Sequence, residues 1–97
     1  MIFKMQKSFE LKNKLGLHAR PAALFVQLTN QYKQARVKVR VVRNGEEGEE
    51  VDGKSIMGLM MLAAEAGSSL LITVTGDQEE ELLVKIEELV NSKFGEE

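Results

Sequence analysis

His18 is the only histidine in the chain, and Arg20 follows two residues later within GLHARPAALFV, Gly16 to Val26. An unprotonated imidazole nitrogen is a competent nucleophile near neutral pH, since histidine's unperturbed pKa is about 6.5. Phosphoryl transfer mainly demands positioning and charge stabilisation, which helix amides and one arginine supply. Arg20 brings a permanent guanidinium charge to the same spot. The pair fits a site that carries a negative group on histidine, with His18 as acceptor and Arg20 as electrostatic support. The same residues also fit a surface histidine that only caps a helix, although histidine is not a preferred cap.

A second candidate is Gly48 to Ser55, GEEVDGKS, which satisfies the nucleotide-binding pattern GxxxxGK followed by serine or threonine. That pattern needs a buried strand before it and a long helix after it, whose first amides cradle phosphate. Here a polar turn precedes it, and its variable positions include Glu49, Glu50 and Asp52, whose charges repel phosphate. Nucleotide binding is set aside. What remains is Ser55 at the N-cap of a short helix, followed by the apolar set Ile56, Met57, Leu59, Met60 and Met61. The five consecutive apolar positions Leu59 to Ala63 exceed what one face of a short helix buries, and methionine suits adaptable partner surfaces. The set is either an exposed docking patch or a wholly buried helix.

Composition narrows the rest. The 97 residues are 43% hydrophobic, enough for one core but not for a nucleotide site plus a second substrate site. With no cysteine there is no disulfide or thiolate ligand, and one histidine implies no metal. A net charge of -2 argues against broad attraction to nucleic acid or anionic membrane. No apolar run reaches membrane-spanning length and the first residues lack the apolar core of a signal peptide, so a cytoplasmic protein is expected. The basic run Arg36, Lys38, Arg40, Arg43 precedes the acidic run Glu46, Glu47, Glu49, Glu50, Asp52; pairing across a hairpin is favoured over a ligand-binding patch.

The elements that hold these residues follow from periodicity. Met5, Phe9 and Leu11 alternate with polar residues as a half-buried strand does. Ala35, Val37, Val39 and Val41 alternate with cations in a second strand, Asn44-Gly45 turns the chain, and an acidic strand returns around Glu49 to Val51. SLLITVT places Leu70, Ile72 and Val74 on one side of the last strand. Ala22, Phe25, Val26 and Thr29 mark a helix from Ala19 to about Tyr32. Pro21 falls in its first turn, where no amide hydrogen bond is lost, and so puts His18 near the N-cap, beside the positive end of the helix dipole. Ser55 to Ala66 holds a short helix with Gly67 as its C-terminal cap, and Asp77 with Glu80 forms a capping box before a helix burying Leu82, Leu83, Ile86, Leu89 and Val90. The order is β-α-β-β-α-β-α.

Over nearly the whole chain the sequence resembles HPr, the histidine-containing phosphocarrier family of the bacterial phosphoenolpyruvate:sugar phosphotransferase system. The likeness rests on GLHARPAA around His18 and on KSIMGLMML, Lys54 to Leu62, the latter in the form of Gram-positive-type members. The resemblance implies a single HPr domain over residues 1–97. Its fold is α+β: an open-faced β-sandwich with a four-stranded antiparallel sheet and three helices on one face. It implies that His18 is phosphorylated on Nδ1 by phosphoenzyme I and passes the group to sugar-specific enzyme II components. Arg20 then stabilises the phosphohistidine, and Ala19 and Pro21 form the supporting helix start. Ser55 matches a regulatory serine modified by an ATP-dependent HPr kinase/phosphorylase, with a catabolite-control regulator as a further partner, and Ile56, Met57 and Met60 match docking positions. The implied protein is a cytoplasmic monomer that carries phosphoryl groups rather than an autonomous enzyme. It has no cofactor, no nucleic-acid partner and no membrane insertion.

Two departures stand out. The segment between Tyr32 and Ser55 is several residues longer than usual for the family, and Gly53 replaces a bulky residue before Lys54-Ser55. Two rivals accompany the carrier reading: a regulatory paralogue serving nitrogen or catabolite control, and a small α/β nucleic-acid-binding module using Arg36, Lys38, Arg40 and Arg43. The second lacks the exposed aromatics that stack on bases.

Overall fold

In the computed structural model, which describes residues 4–96, the chain runs through β1 (Lys4–Glu10), α1 (Ala19–Thr29), β2 (Arg36–Arg43), β3 (Glu46–Glu47), β4 (Val51–Asp52), α2 (Ile56–Met61), β5 (Ser69–Thr75) and α3 (Glu79–Asn91). A 3-10 turn, Lys93–Gly95, follows. The sheet is antiparallel, ordered β1-β5-β2, with β3 and β4 both pairing with the other edge of β2. Period-two alternation puts Val37, Val39 and Val41 opposite Val74, Ile72 and Leu70, all buried. The helices cover this face with Ala22, Phe25 and Val26, with Leu59, and with Leu82, Leu83, Ile86 and Val90. Each large aliphatic or aromatic side chain so buried contributes about 1.5–3 kcal/mol. The opposite face stays polar, as expected of an open sandwich.

Several local expectations are corrected. The return strand is split: Val42 pairs with Glu47 and Val39 with Val51, so Arg40 and Val41 face Gly48, Glu49 and Glu50 across a bulge. Arg40 staples that bulge, donating to the Gly48 carbonyl at 2.8 Å with Glu47 and Glu50 at 3.9 and 3.6 Å. The opposed charges thus pair across the hairpin. Helix α1 stops at Thr29, and Tyr32 is buried in the turn beyond, its hydroxyl donating to Glu81 at 2.7 Å. Burial, reinforced by Glu81, pushes that phenol up to about 12.

The Asp77–Glu80 capping box does not form. Gly76, at φ +113, passes so close to the Gln34 carbonyl that a Cβ would lie 2.4 Å from it, and Gln78 turns left-handed at φ 54 to become the N-cap. Helix α2 ends at Met61 with Leu62 as its cap and left-handed Ala63 directly after it, so Gly67, also at positive φ, lies too far along to be the cap. Arg43 donates to the Ala63 carbonyl at 2.7 Å, satisfying that end. Met5 is exposed because it lies at the rim of an edge strand. Lys7, on the same face, sits 5.7 Å over the Phe9 ring and 3.0 Å from Glu87.

Candidate functional site

The approach to His18 is fixed by one glycine and one asparagine. Gly16 adopts φ +69, and a Cβ there would lie 2.3 Å from the Ala64 carbonyl oxygen, so both conformation and space require glycine. The Leu17 amide donates to that same Ala64 carbonyl at 2.9 Å, pinning the loop to the turn after α2. Asn13, fully buried, donates through Nδ2 to the Gly16 carbonyl at 2.6 Å and to Glu96 Oε1 at 3.0 Å. Its Oδ1 is buried and has no hydrogen-bond partner among the described residues. The amide keeps this orientation because a flipped one would aim oxygen at two acceptors.

His18 is the N-cap of α1, with extended backbone (φ -86, ψ -168), and its carbonyl accepts from the Ala22 amide at 3.0 Å. Its ring makes no capping hydrogen bond, so the plain capping reading fails. First-turn amides have no intrahelical acceptor, and Pro21, buried in that turn, has no N–H; Ala19 and Arg20 supply the amides free to meet an anion. The ring instead directs Nε2 at the Glu96 carboxylate, 2.9 Å from Oε2 and 3.2 Å from Oε1. A carboxylate only accepts, so the hydrogen of the neutral ring sits on Nε2 and the lone pair on Nδ1. Among the described residues Nδ1 has no hydrogen-bond partner. The imidazole is about a third exposed, at 35%, which leaves that nitrogen an approach.

Glu96 reaches this position because the chain end is anchored. Lys93, Phe94 and Gly95 are all left-handed, with φ 58, 55 and 75, and Phe94 is buried. Left-handed geometry costs a non-glycine residue about 1–2 kcal/mol, and burying the phenylalanine offsets much of the cost at Lys93 and Phe94 together. Burial of Glu96 favours its neutral form, but hydrogen bonds from His18 and Asn13 and the nearby Arg20 charge prevail and hold the carboxyl below its ordinary range. Glu96 also lines an open hollow of about 580 Å³ with Lys14, Leu15, Arg20 and Gly95. Sequence reasoning missed Asn13 and Glu96. Neither lies in a local pattern with His18, and nothing in the sequence pointed to them.

Ser55 caps α2 as expected, its Oγ accepting from the Gly58 amide at 3.0 Å. Of the apolar set only Leu59 is buried; Ile56, Met57, Met60 and Met61 are exposed, which favours the exposed-patch alternative. Gly53 is required where it stands, since a Cβ would lie 2.4 Å from Val37 Cγ1 while its amide continues the strand pairing to the Val37 carbonyl at 2.8 Å. Its carbonyl accepts from Thr29 Oγ1 and the Lys54 ammonium donates to the Tyr32 carbonyl, so the GxxxxGK segment ties α1 to α2 instead of cradling phosphate.

Residues 5–92 match the family model described as "PTS HPr component phosphorylation site". The chain belongs to the HPr family. The HPr of Pseudomonas aeruginosa is 51% identical over 84 residues, spanning 87% of this chain and 88% of its own. The phosphocarrier protein NPr of Escherichia coli is 35% identical over 92 residues, 95% of this chain and 97% of its own. An HPr crystal structure from Thermoanaerobacter tengcongensis superposes with a TM-score of 0.79 at 41% identity, covering 96% of this chain and 98% of that one. The HPr fold accordingly accounts for three helices on an open antiparallel sheet. No helix among the described residues is long and apolar enough to cross a membrane.

Proposed function

We propose that this HPr is a phosphoryl carrier of the phosphotransferase system: His18 accepts the group on Nδ1 from phosphoenzyme I and hands it to sugar-specific enzyme II components. The observation that carries the reading is the division between the two ring nitrogens, with Nε2 engaged by Glu96 and Nδ1 open at the start of α1. Nδ1 attacks phosphorus in line, the bond to the donor breaks, and the phosphoryl oxygens meet the Ala19 and Arg20 amides and the Arg20 guanidinium. Pro21 supports this start by leaving no competing N–H in the turn. The exposed Leu15, Ile56, Met57 and Met60 provide apolar surface for docking enzyme I and its acceptors.

Ser55 is the regulatory acceptor in this reading, served by an HPr kinase/phosphorylase and read by a catabolite-control regulator. A phosphate there adds about -1.5 to -2 charges beside Ile56 and Met57, opposing apolar docking. The whole chain acts as one cytoplasmic, monomeric carrier domain, and catalytic turnover belongs to its partners. The test is to mix the protein with phosphoenolpyruvate and enzyme I. An acid-labile, alkali-stable phosphate that disappears in His18→Ala supports the reading, and an unlabelled wild-type chain ends it.

The likeness to NPr favours a second reading in which the same phosphohistidine serves regulation rather than sugar uptake. Delivery of the group to sugar-specific enzyme II components separates the two. The nucleic-acid alternative is weakened because Arg40 and Arg43 are already engaged by Glu47 and Glu50 and by the α2 terminus.

A further inference from the structure

We propose that Glu96 is a positioning residue for phosphoryl transfer at His18: its carboxylate holds the hydrogen on Nε2 and offsets the charge the ring gains when Nδ1 bonds phosphorus. This inference rests on the carrier reading above. A neutral imidazole that attacks through Nδ1 loses no proton. The Nδ1 lone pair forms the N–P bond, the donor departs with the electron pair of its own bond to phosphorus, and the ring is left as a cation bearing Nε2–H. That positive charge develops 2.9 Å from the nearer Glu96 oxygen. When the group moves on, the N–P pair returns to Nδ1 and the ring is neutral again, with Nε2–H intact throughout. The logic is that of the aspartate in a serine-protease triad, which fixes the tautomer and stabilises the imidazolium without taking its proton.

Three features show that the contact is built. Asn13 commits a fully buried amide to Glu96 Oε1 and to the carbonyl of Gly16, and its own oxygen has no partner among the described residues. Burial of Phe94 offsets much of the cost of the left-handed backbone that delivers Glu96. The carboxylate is largely shielded, its side chain 14% exposed, so water does not readily replace it at Nε2. Among the described residues, the other charged groups lining the hollow, Lys14 and Arg20, are cations and do not compete for that hydrogen.

The experiment compares the unmodified chain with Glu96→Ala and Glu96→Gln by ¹H–¹⁵N NMR of the His18 ring and by the kinetics of phosphorylation from phosphoenzyme I. The unmodified chain shows a protected Nε2–H resonance. Glu96→Ala loses it, and kcat for acceptance falls about tenfold while KM for this chain stays within about twofold. Glu96→Gln keeps the resonance, because an amide oxygen still accepts, yet accepts phosphoryl more slowly than the unmodified chain because the charge is gone. Glu96 lies outside the core, so both variants stay folded at the assay pH with at most a small drop in melting temperature. An unmodified chain that takes no phosphoryl group overturns the carrier reading and this inference with it. Uptake by the unmodified chain, with Glu96→Ala unchanged in resonance or kcat, or with Glu96→Gln as fast as the unmodified chain, overturns the role of Glu96 alone.

Discussion

The Glu96 carboxylate lies 2.9 Å from Nε2 of His18, a residue 78 positions earlier in the chain. That contact makes the two ring nitrogens unequal before any partner arrives. One is a hydrogen-bond donor held by an anion, and the other keeps its lone pair at the electropositive start of α1. The His18 ring thereby presents a single nucleophilic nitrogen, and the supporting groups come from three separate parts of the sequence.

Gly16 sets the entry to that helix, and replacing it is expected to be costly. Gly16→Ala combines a left-handed φ of +69 with a Cβ 2.3 Å from the Ala64 oxygen, and destabilises by at least about 2 kcal/mol in urea unfolding. Gly45→Ala, at φ +80 with nothing within 4 Å, carries only the conformational cost and loses about 1 kcal/mol. Equal losses at the two sites would show that the Gly16–Ala64 approach has no energetic weight.

Glu96 predicts a pH dependence with a definite sign. Its folded carboxyl is held below the ordinary value of 4.5, so the stabilisation is present above that pH and is lost as pH falls through the lower folded value. The unfolding free energy of the wild type minus that of Glu96→Gln is therefore expected to be positive at pH 5 and to shrink on acidification below 4.5. A difference that grows over the same range contradicts the geometry at His18.

Ser55 separates capping from charge. Ser55→Ala removes the acceptor for the Gly58 amide and costs about 1 kcal/mol, while leaving the docking surface uncharged. Ser55→Asp retains a capping oxygen but places a carboxylate beside Ile56 and Met57. It is expected to accept phosphoryl from enzyme I several-fold more slowly with little loss of stability. Equal acceptance rates for Ser55→Asp and the unmodified chain would remove the regulatory reading.

Much of this architecture was legible in the sequence because it is written in local periodicity. The alternation in β2 and β5, the stripe of α1 and the helix start marked by Pro21 each act over a few residues, and each appears in the structure. The errors arise where distant contacts override local signals. The Asp77 capping box yields to the close approach of Gly76 to Gln34, and the helix stripe that ran on to Tyr32 ends at Thr29, with Tyr32 still buried but in a turn. The bulge at Gly48 to Glu50 splits a strand that the acidic composition already made weak, and Arg40 holds it. Asn13 and Glu96 were beyond reach, since a lone asparagine between lysines and a carboxylate near the chain end acquire meaning only once Phe94 is packed.

The most direct test of the account is the position of phosphorus on the His18 ring. The protein is labelled with ¹⁵N at histidine, phosphorylated with phosphoenolpyruvate and enzyme I, and the nitrogen coupled to phosphorus is identified by NMR. The account predicts phosphorus on Nδ1 with Nε2 still carrying its hydrogen. Phosphorus on Nε2, or none on His18 at all, contradicts it.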